Sequence, residues 1–222
     1  MWGQMNATAL APQPDAGQET APARRDAVLA AALALMVQRG SGFSMADVAR
    51  AASCSKETLY KWFGDRTGLL TATVQWQAAK VAMPVLPEGA LTRAGLEQAL
   101  AGFAASWLAV ITGDASLGLN RMAVGEAGEP GQIVLRHGPR AMAVRLAPLF
   151  EAGRAAGLIA FASTDDAFRL FFGLVVGDIQ IRCLLGDPAR PSPAEIQTQA
   201  AAAASRFLAL CAPETVPQGE TR

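Results

Sequence analysis

The side chains best suited to chemistry lie between Phe43 and Leu70, in the stretch FSMADVARAASCSKETLYKWFGDRTGLL. Lys56, Glu57, Thr58, Tyr60, Lys61 and Trp62 crowd the run from Lys56 to Phe63. At about 100° per residue on a helix, Leu59 and Phe63 share one face and turn inward. The opposite face is centred on Lys61, with Glu57 and Thr58 on either side. Tyr60 and Trp62 fall about 100° to each side of that centre. Amines, a carboxylate and a hydroxyl in the middle of such a helix meet base edges in a DNA major groove, and the flanking groups meet phosphates. The chemistry is reversible polar recognition. A surface helix with two incidental aromatics is the plain alternative.

Holding that helix in place requires partners. Ser44 is a natural N-cap for a short amphipathic run from Met45 to Ala52. Ser53-Cys54 makes a tight connection, Ser55 caps again, and the two short helices form a helix-turn-helix. An apolar Cys54 side chain would plug the gap between them. Ahead of the pair, a helix is predicted from Arg24 to Arg39, with Val28, Ala32, Leu35 and Met36 on one face and Gly40 as its stop. Behind it, Asp65 caps a helix from Arg66 to about Met83, before Pro84 and Pro87.

Net charge is zero over 222 residues, but its distribution is uneven. Arg24 to Ala72 carries seven basic and four acidic residues, a net of +3, while the first 23 residues carry only Asp15 and Glu19. A modest positive patch suits a protein that binds DNA and releases it. Half the chain is apolar (51%), alanine is abundant and no alternating β-branched run is bounded by turns, so the fold class is all-α.

Cys54, Cys183 and Cys211 lack metal-ligand spacing, and the chain has one histidine, so neither a metal nor any other cofactor is expected. The cysteines fit buried thiols in a reducing cytosol. There is no G-x-S-x-G, no phosphate loop and no acid pair with a base, so an enzyme is not indicated. No signal peptide is evident, and the most apolar window, Ala99 to Gly113, is too short to cross a bilayer. A cytoplasmic protein without a membrane partner is expected.

Residues 1–23, rich in Ala, Pro, Gln and Gly, are expected to form a disordered arm, followed by a helix-turn-helix domain over 24–72 and a larger helical domain over 73–222. In the latter, helices are predicted over Leu91–Thr112, Ser116–Gly128, Gly131–Ala156 (interrupted at Gly138-Pro139), Asp165–Leu185 and Pro193–Cys211. Trp76, Phe103, Trp107, Met122 and Phe172 are candidates to line an apolar effector pocket, each otherwise ordinary core. Asp178 interrupts an apolar run, either as an effector or cross-dimer contact or as an exposed position. The sole histidine, His137 in RHGPR, is either a sensor or helix-end decoration.

A helix, Gly, hydroxyl cap, short helix, tight turn, then S-K-x-T-L-Y-x-x-F-x-x-[KR]-x-x-L-L resembles the DNA-binding domain of TetR-family transcriptional regulators. Ser44, Val48, Ala49, Ala52, Ser55, Lys56, Thr58, Leu59, Tyr60, Phe63, Arg66, Leu69 and Leu70 carry the match. Ser53 stands where the family usually has glycine, and Arg66 where it usually has lysine. FEAGRAAGLI, FFGLVVGDIQIRCLLG and PSPAEI are more weakly similar to the AefR-like C-terminal domain. The resemblance implies a homodimeric repressor of a palindromic double-stranded operator, released by a small hydrophobic effector. Lys56, Glu57, Thr58 and Lys61 would then face bases, with Ser44, Ser55, Tyr60, Trp62 and Arg66 on phosphates. Dimerisation would use Phe168, Phe171, Phe172, Val175 and Val176 on one helix, and Ile196, Ala200, Ala203, Phe207 and Leu210 on another. The alternatives are a helical small-molecule-binding protein with vestigial DNA binding, and a DNA binder that answers to no effector.

Overall fold

The computed structural model describes residues 21–85 and 89–213, which form eleven helices and no strand. Residues 1–20 of the expected arm, and the tail from 214, lie outside the described residues. Helix α1 spans Ala21–Arg39 and therefore opens ahead of the expected Arg24. Pro22 sits in its first turn, where a missing N–H leaves nothing unpaired and φ already suits a helix.

Helix α2 (Met45–Ala51) starts at a capping box. The Ser44 hydroxyl accepts the Asp47 N–H at 3.2 Å, and the Asp47 carboxylate accepts the Ser44 N–H at 2.9 Å. Ser53 turns the chain with φ +49°, the left-handed backbone that a glycine adopts more easily. Helix α3 (Lys56–Phe63) follows, capped by Ser55. Helix α4 (Arg66–Ala78) is capped by Asp65, which accepts the Gly68 N–H at 2.8 Å.

The remaining helices are α5 (Arg93–Ile111), α6 (Asp114–Glu126), α7 (Glu129–His137), α8 (Pro139–Ala155), α9 (Thr164–Val176), α10 (Ile179–Leu184) and α11 (Pro193–Leu210). Two differ from the sequence expectation. Helix α4 stops well before Met83, and the carbonyls at its end and just beyond are taken by α8: Arg145 donates to Ala78 O and Val81 O, each at 3.0 Å. The single helix expected over Asp165–Leu185 is two, because Gly177 takes φ +48° and ends α9.

Two apolar cores result. In the first, α5 lies along α11, with α8 and α9 completing a layer around Phe103, Phe150, Phe171 and Phe207. Their rings pack at centroid distances of 5.2 Å for Phe150–Phe207 and for Phe171–Phe207. Each such buried ring contributes about 1.5–3 kcal/mol. Helix α5, apolar enough by composition to cross a membrane, instead supplies Leu96, Leu100, Phe103, Trp107 and Leu108 to this core.

The second core lies under the helix-turn-helix and crosses the expected boundary at residue 72. Beside Val28, Met36, Val48, Leu59 and Phe63 it contains Val74 of α4, Leu119 and Met122 of α6 and Ile133 of α7. Gly118 permits this approach: a Cβ there would lie 2.6 Å from Val37 Cγ2 on α1.

Candidate nucleic-acid interface and adjoining cavity

Helix α3 is short, and only Leu59 and Phe63 of its residues are buried. Lys56, Glu57, Tyr60 and Lys61 are exposed and Thr58 is half-buried, so the polar face is turned outward as its spacing predicts. The Ser55 hydroxyl accepts the Thr58 N–H at 3.1 Å and shares a hydrogen bond with Thr58 Oγ1 at 3.0 Å. Hydrogen bonds from its own backbone N–H and from Ser55 hold the Glu57 carboxyl below the ordinary carboxylate value. The outward face therefore presents two ammonium groups, one ionised carboxylate, a phenol and a hydroxyl on a capped, pre-formed helix. It can read hydrogen-bonding edges and lacks any group arranged as a nucleophile.

Trp62 and Arg66 differ from their expected outward positions. Trp62 is half-buried, edge-on to Phe63 at 6.2 Å, and borders a shallow depression with Pro22 and Arg25 of α1. Arg66 turns back into the molecule. It donates to Ser41 O at 3.0 Å, reaches Glu126 Oε1 at 3.4 Å and lies over the Phe43 ring at 4.7 Å. A guanidinium held by a carbonyl, a carboxylate and an aromatic face is a strut between the helix-turn-helix and α6. Thr67 with Glu129 (3.2 Å) and Gln75 with His137 (3.2 Å) continue the same seam along α4 and α7. His137 is thus a helix-end partner of α4.

Below that seam lies a cavity of about 90 Å³ between α4, α5, α6, α8 and α9. Of the five expected lining residues, Trp107 and Phe172 border it, their rings 5.2 Å apart. Phe103 does not: it is buried behind Trp107 and packs on Phe171. Met122 belongs to the core beneath the helix-turn-helix, and the Trp76 ring faces Lys80 Nζ at 3.9 Å. The lining that sequence reasoning missed is partly polar: Gln77, Ser116, Asn120 and Gln180. Gln77 is 7% exposed, its amide nitrogen donates to Ser116 Oγ at 3.2 Å, and its Oε1 has no partner. The available signal was a glutamine beside the apolar stripe Leu70–Val74–Ala78 of α4.

The expected dimer-forming side chains are mostly internal. Phe168, Phe171, Val175, Val176, Ile196, Ala200, Ala203 and Phe207 are buried within this chain's own core. They face inward because α9 and α11 pack on α5 and on each other. Of the named set, Leu210 is exposed. The faces these helices leave open carry Asp166, Arg169, Leu170 and Gly173 on α9 and Gln197, Thr198, Ala201, Ser205, Arg206, Ala209 and Leu210 on α11. Asp178 is exposed, 4.0 Å from Arg182 of its own chain, and Arg182 also pairs with Asp187 at 2.6 Å. Cys183 and Cys211 are buried free thiols and Cys54 is half-buried; burial raises the Cys54 and Cys211 thiols above their ordinary value. Among the described residues no group of His, Cys, Asp and Glu has the makings of a metal site.

Residues 28–73 match the family model for bacterial regulatory proteins of the tetR family. Residues 98–213 match the C-terminal domain of AefR-like transcriptional repressors. Among solved structures, a TetR transcriptional regulator from Agrobacterium tumefaciens is 40% identical, with 86% of this chain and 95% of that chain covered and a TM-score of 0.74. The flavonoid-responsive regulator FrrA is 28% identical, with 88% of this chain and 100% of that chain covered and a TM-score of 0.67. No curated protein sequence matches.

Proposed function

The chain belongs to the TetR family of bacterial regulatory proteins, and on that premise we propose that it is a cytoplasmic, homodimeric repressor whose grip on a palindromic operator is released by a small, mostly apolar effector. Residues 24–72 act as the reading head and residues 73–222 as the sensing and dimerising domain. Lys56, Glu57, Thr58 and Lys61 meet base edges, and Ser44, Ser55 and Tyr60 lie along the phosphates. Trp62 supports the rim of that surface, and Arg66 braces the head.

The observation that carries the proposal is the double membership of α4. Leu69, Leu70 and Val74 pack in the head's core, and the last turn, with Gln77 and Ala78, lines the cavity beside Val81 just past the helix end. A ligand wedged against Gln77 and Ala78 has to shift the same rod that sets the tilt of α3. Two heads joined across the exposed faces of α9 and α11 convert such a tilt into a changed spacing of recognition helices. A tenfold loss of operator affinity requires only about 1.4 kcal/mol of preference for one spacing. The responsiveness of FrrA to flavonoids supports an effector with aromatic character. The cavity itself argues against a DNA binder that answers to nothing.

The test is fluorescence anisotropy of the full chain on DNA from its own upstream region, with and without a panel of aromatic compounds. Saturable binding to a palindrome by a dimer, weakened at least tenfold by one compound class, is expected. A monomer mass by light scattering at micromolar concentration overturns the dimer. Operator affinity unmoved by every compound, none of which shifts the melting temperature, overturns the switch.

A further inference from the structure

The cavity is apolar on most sides, with Trp107, Phe172, Met142 and Ile111 among its walls, but one end is polar. At that end Gln77 on α4 reaches across to Ser116 on α6. The Gln77 amide nitrogen is used there, while its Oε1 is buried and accepts nothing. A buried carbonyl oxygen without a donor is costly, and an apolar side chain of similar shape would avoid the penalty. No Asp, Glu, Lys, Arg or His lines the cavity, so a charged ligand would enter without a counter-charge.

Resting on the effector reading above, we propose that the ligand is an uncharged hydroxylated aromatic whose O–H donates to Gln77 Oε1, making Gln77 the residue that selects for a hydrogen-bond donor. The ring packs against the wall formed by Trp107 and Phe172, and its hydroxyl points at α4. The volume of about 90 Å³ favours a single ring, seated with a rotamer change of the adaptable Met142. The selecting residue sits on the helix that also carries the head's core residues, so recognition of the hydroxyl acts directly on α4.

Three probes of similar size separate the possibilities: phenol offers a donor, anisole only an acceptor, toluene neither. All are uncharged at neutral pH. With the full chain, phenol should bind about tenfold more tightly than toluene or anisole by calorimetry, with a matching rise in melting temperature. Gln77→Leu should melt higher than the wild type without ligand, and should bind the three probes within about twofold of one another. Ser116→Ala keeps Oε1 in place and should retain the preference for phenol. Toluene or anisole binding the wild type as well as phenol overturns the donor selection and leaves the effector reading standing. Failure of all three to bind overturns this proposal, and the operator titration above then decides the effector reading by itself. If Gln77→Leu does not fold, the wild-type ranking of the probes decides alone.

Discussion

Helices α2 and α3 together bury five of their own side chains, whereas α5 alone buries seven, two of them aromatic. The reading head is thus held by caps, by a turn at Ser53 and by side chains that come from elsewhere. The C-terminal bundle is held by its own ring-on-ring packing. A head built this way keeps a polar face free for a partner, because its anchoring happens behind it. A bundle built the other way closes on its own rings, and the cavity at Trp107 and Phe172 opens at its edge. Recognition of a charged polymer and recognition of a small neutral molecule ask for these opposite economies of burial.

The largest test of the contrast lies in the bundle. Phe171→Ala should cost about 3–5 kcal/mol of unfolding free energy, measured by urea denaturation, because Phe171 is fully buried among Phe103, Phe150 and Phe207. A loss under about 1 kcal/mol would mean the ring cluster is not the bundle's mainstay. Next is Met122→Ala, about 2–5 kcal/mol, with an unusual location of effect. Amide exchange should accelerate in α2 and α3 more than in α11, although Met122 is about 60 residues or more away in the chain from either. Uniform acceleration would erase the distinction between the two cores.

Lys61→Ala should leave the melting temperature alone and cost about 1–3 kcal/mol of binding per half-site, relaxing base preference. Ser44→Ala should cost about 1 kcal/mol of stability through the lost cap. Hydrogen bonds from the Ser44 hydroxyl and backbone hold the Asp47 carboxyl below its ordinary value of 3.8. A depressed carboxylate stabilises the fold above the ordinary value and stops doing so as pH falls through the depressed one. The gap between wild type and Ser44→Ala should therefore narrow below about pH 4, visible in melting curves. The smallest effect expected is on salt dependence. Arg66→Ala should leave the slope of operator affinity against salt unchanged, because its guanidinium is occupied by Ser41, Glu126 and Phe43. A slope reduced by about one would return Arg66 to the phosphates.

The parts of the fold that the sequence made legible were those fixed locally. Ser44, Ser55, Asp65 and Ser192 mark helix starts within hydrogen-bonding reach of their own caps, and each helix begins where its cap indicated. Leu59 and Phe63 declare their inward face by spacing alone. Distance in the chain defeated the rest. Whether Phe103 or Met122 faces a cavity depends on where α6 and α9 come to lie, which no periodicity encodes. The apolar faces of α9 and α11 were visible, but not that α5 would cover them. Arg66 kept its charge and its place in the motif, yet Ser41 and Glu126 decided its direction.

The seam at α6 and α7 also bears on how such proteins can be recombined. A helix-turn-helix moved between regulators by cutting near residue 72 would leave Leu119, Met122 and Ile133 behind, and with them the floor of its own core. The transplanted head would sit on whatever side chains the recipient happens to present, with Val37 facing a position that tolerates only a glycine's outline. Lineages that exchange specificity by shuffling have to change these contacts together. With α3 reading the operator as proposed, point substitution on its outer face is the easier path to a new operator, and a chimera meant to work should carry residues 114–137 with its head.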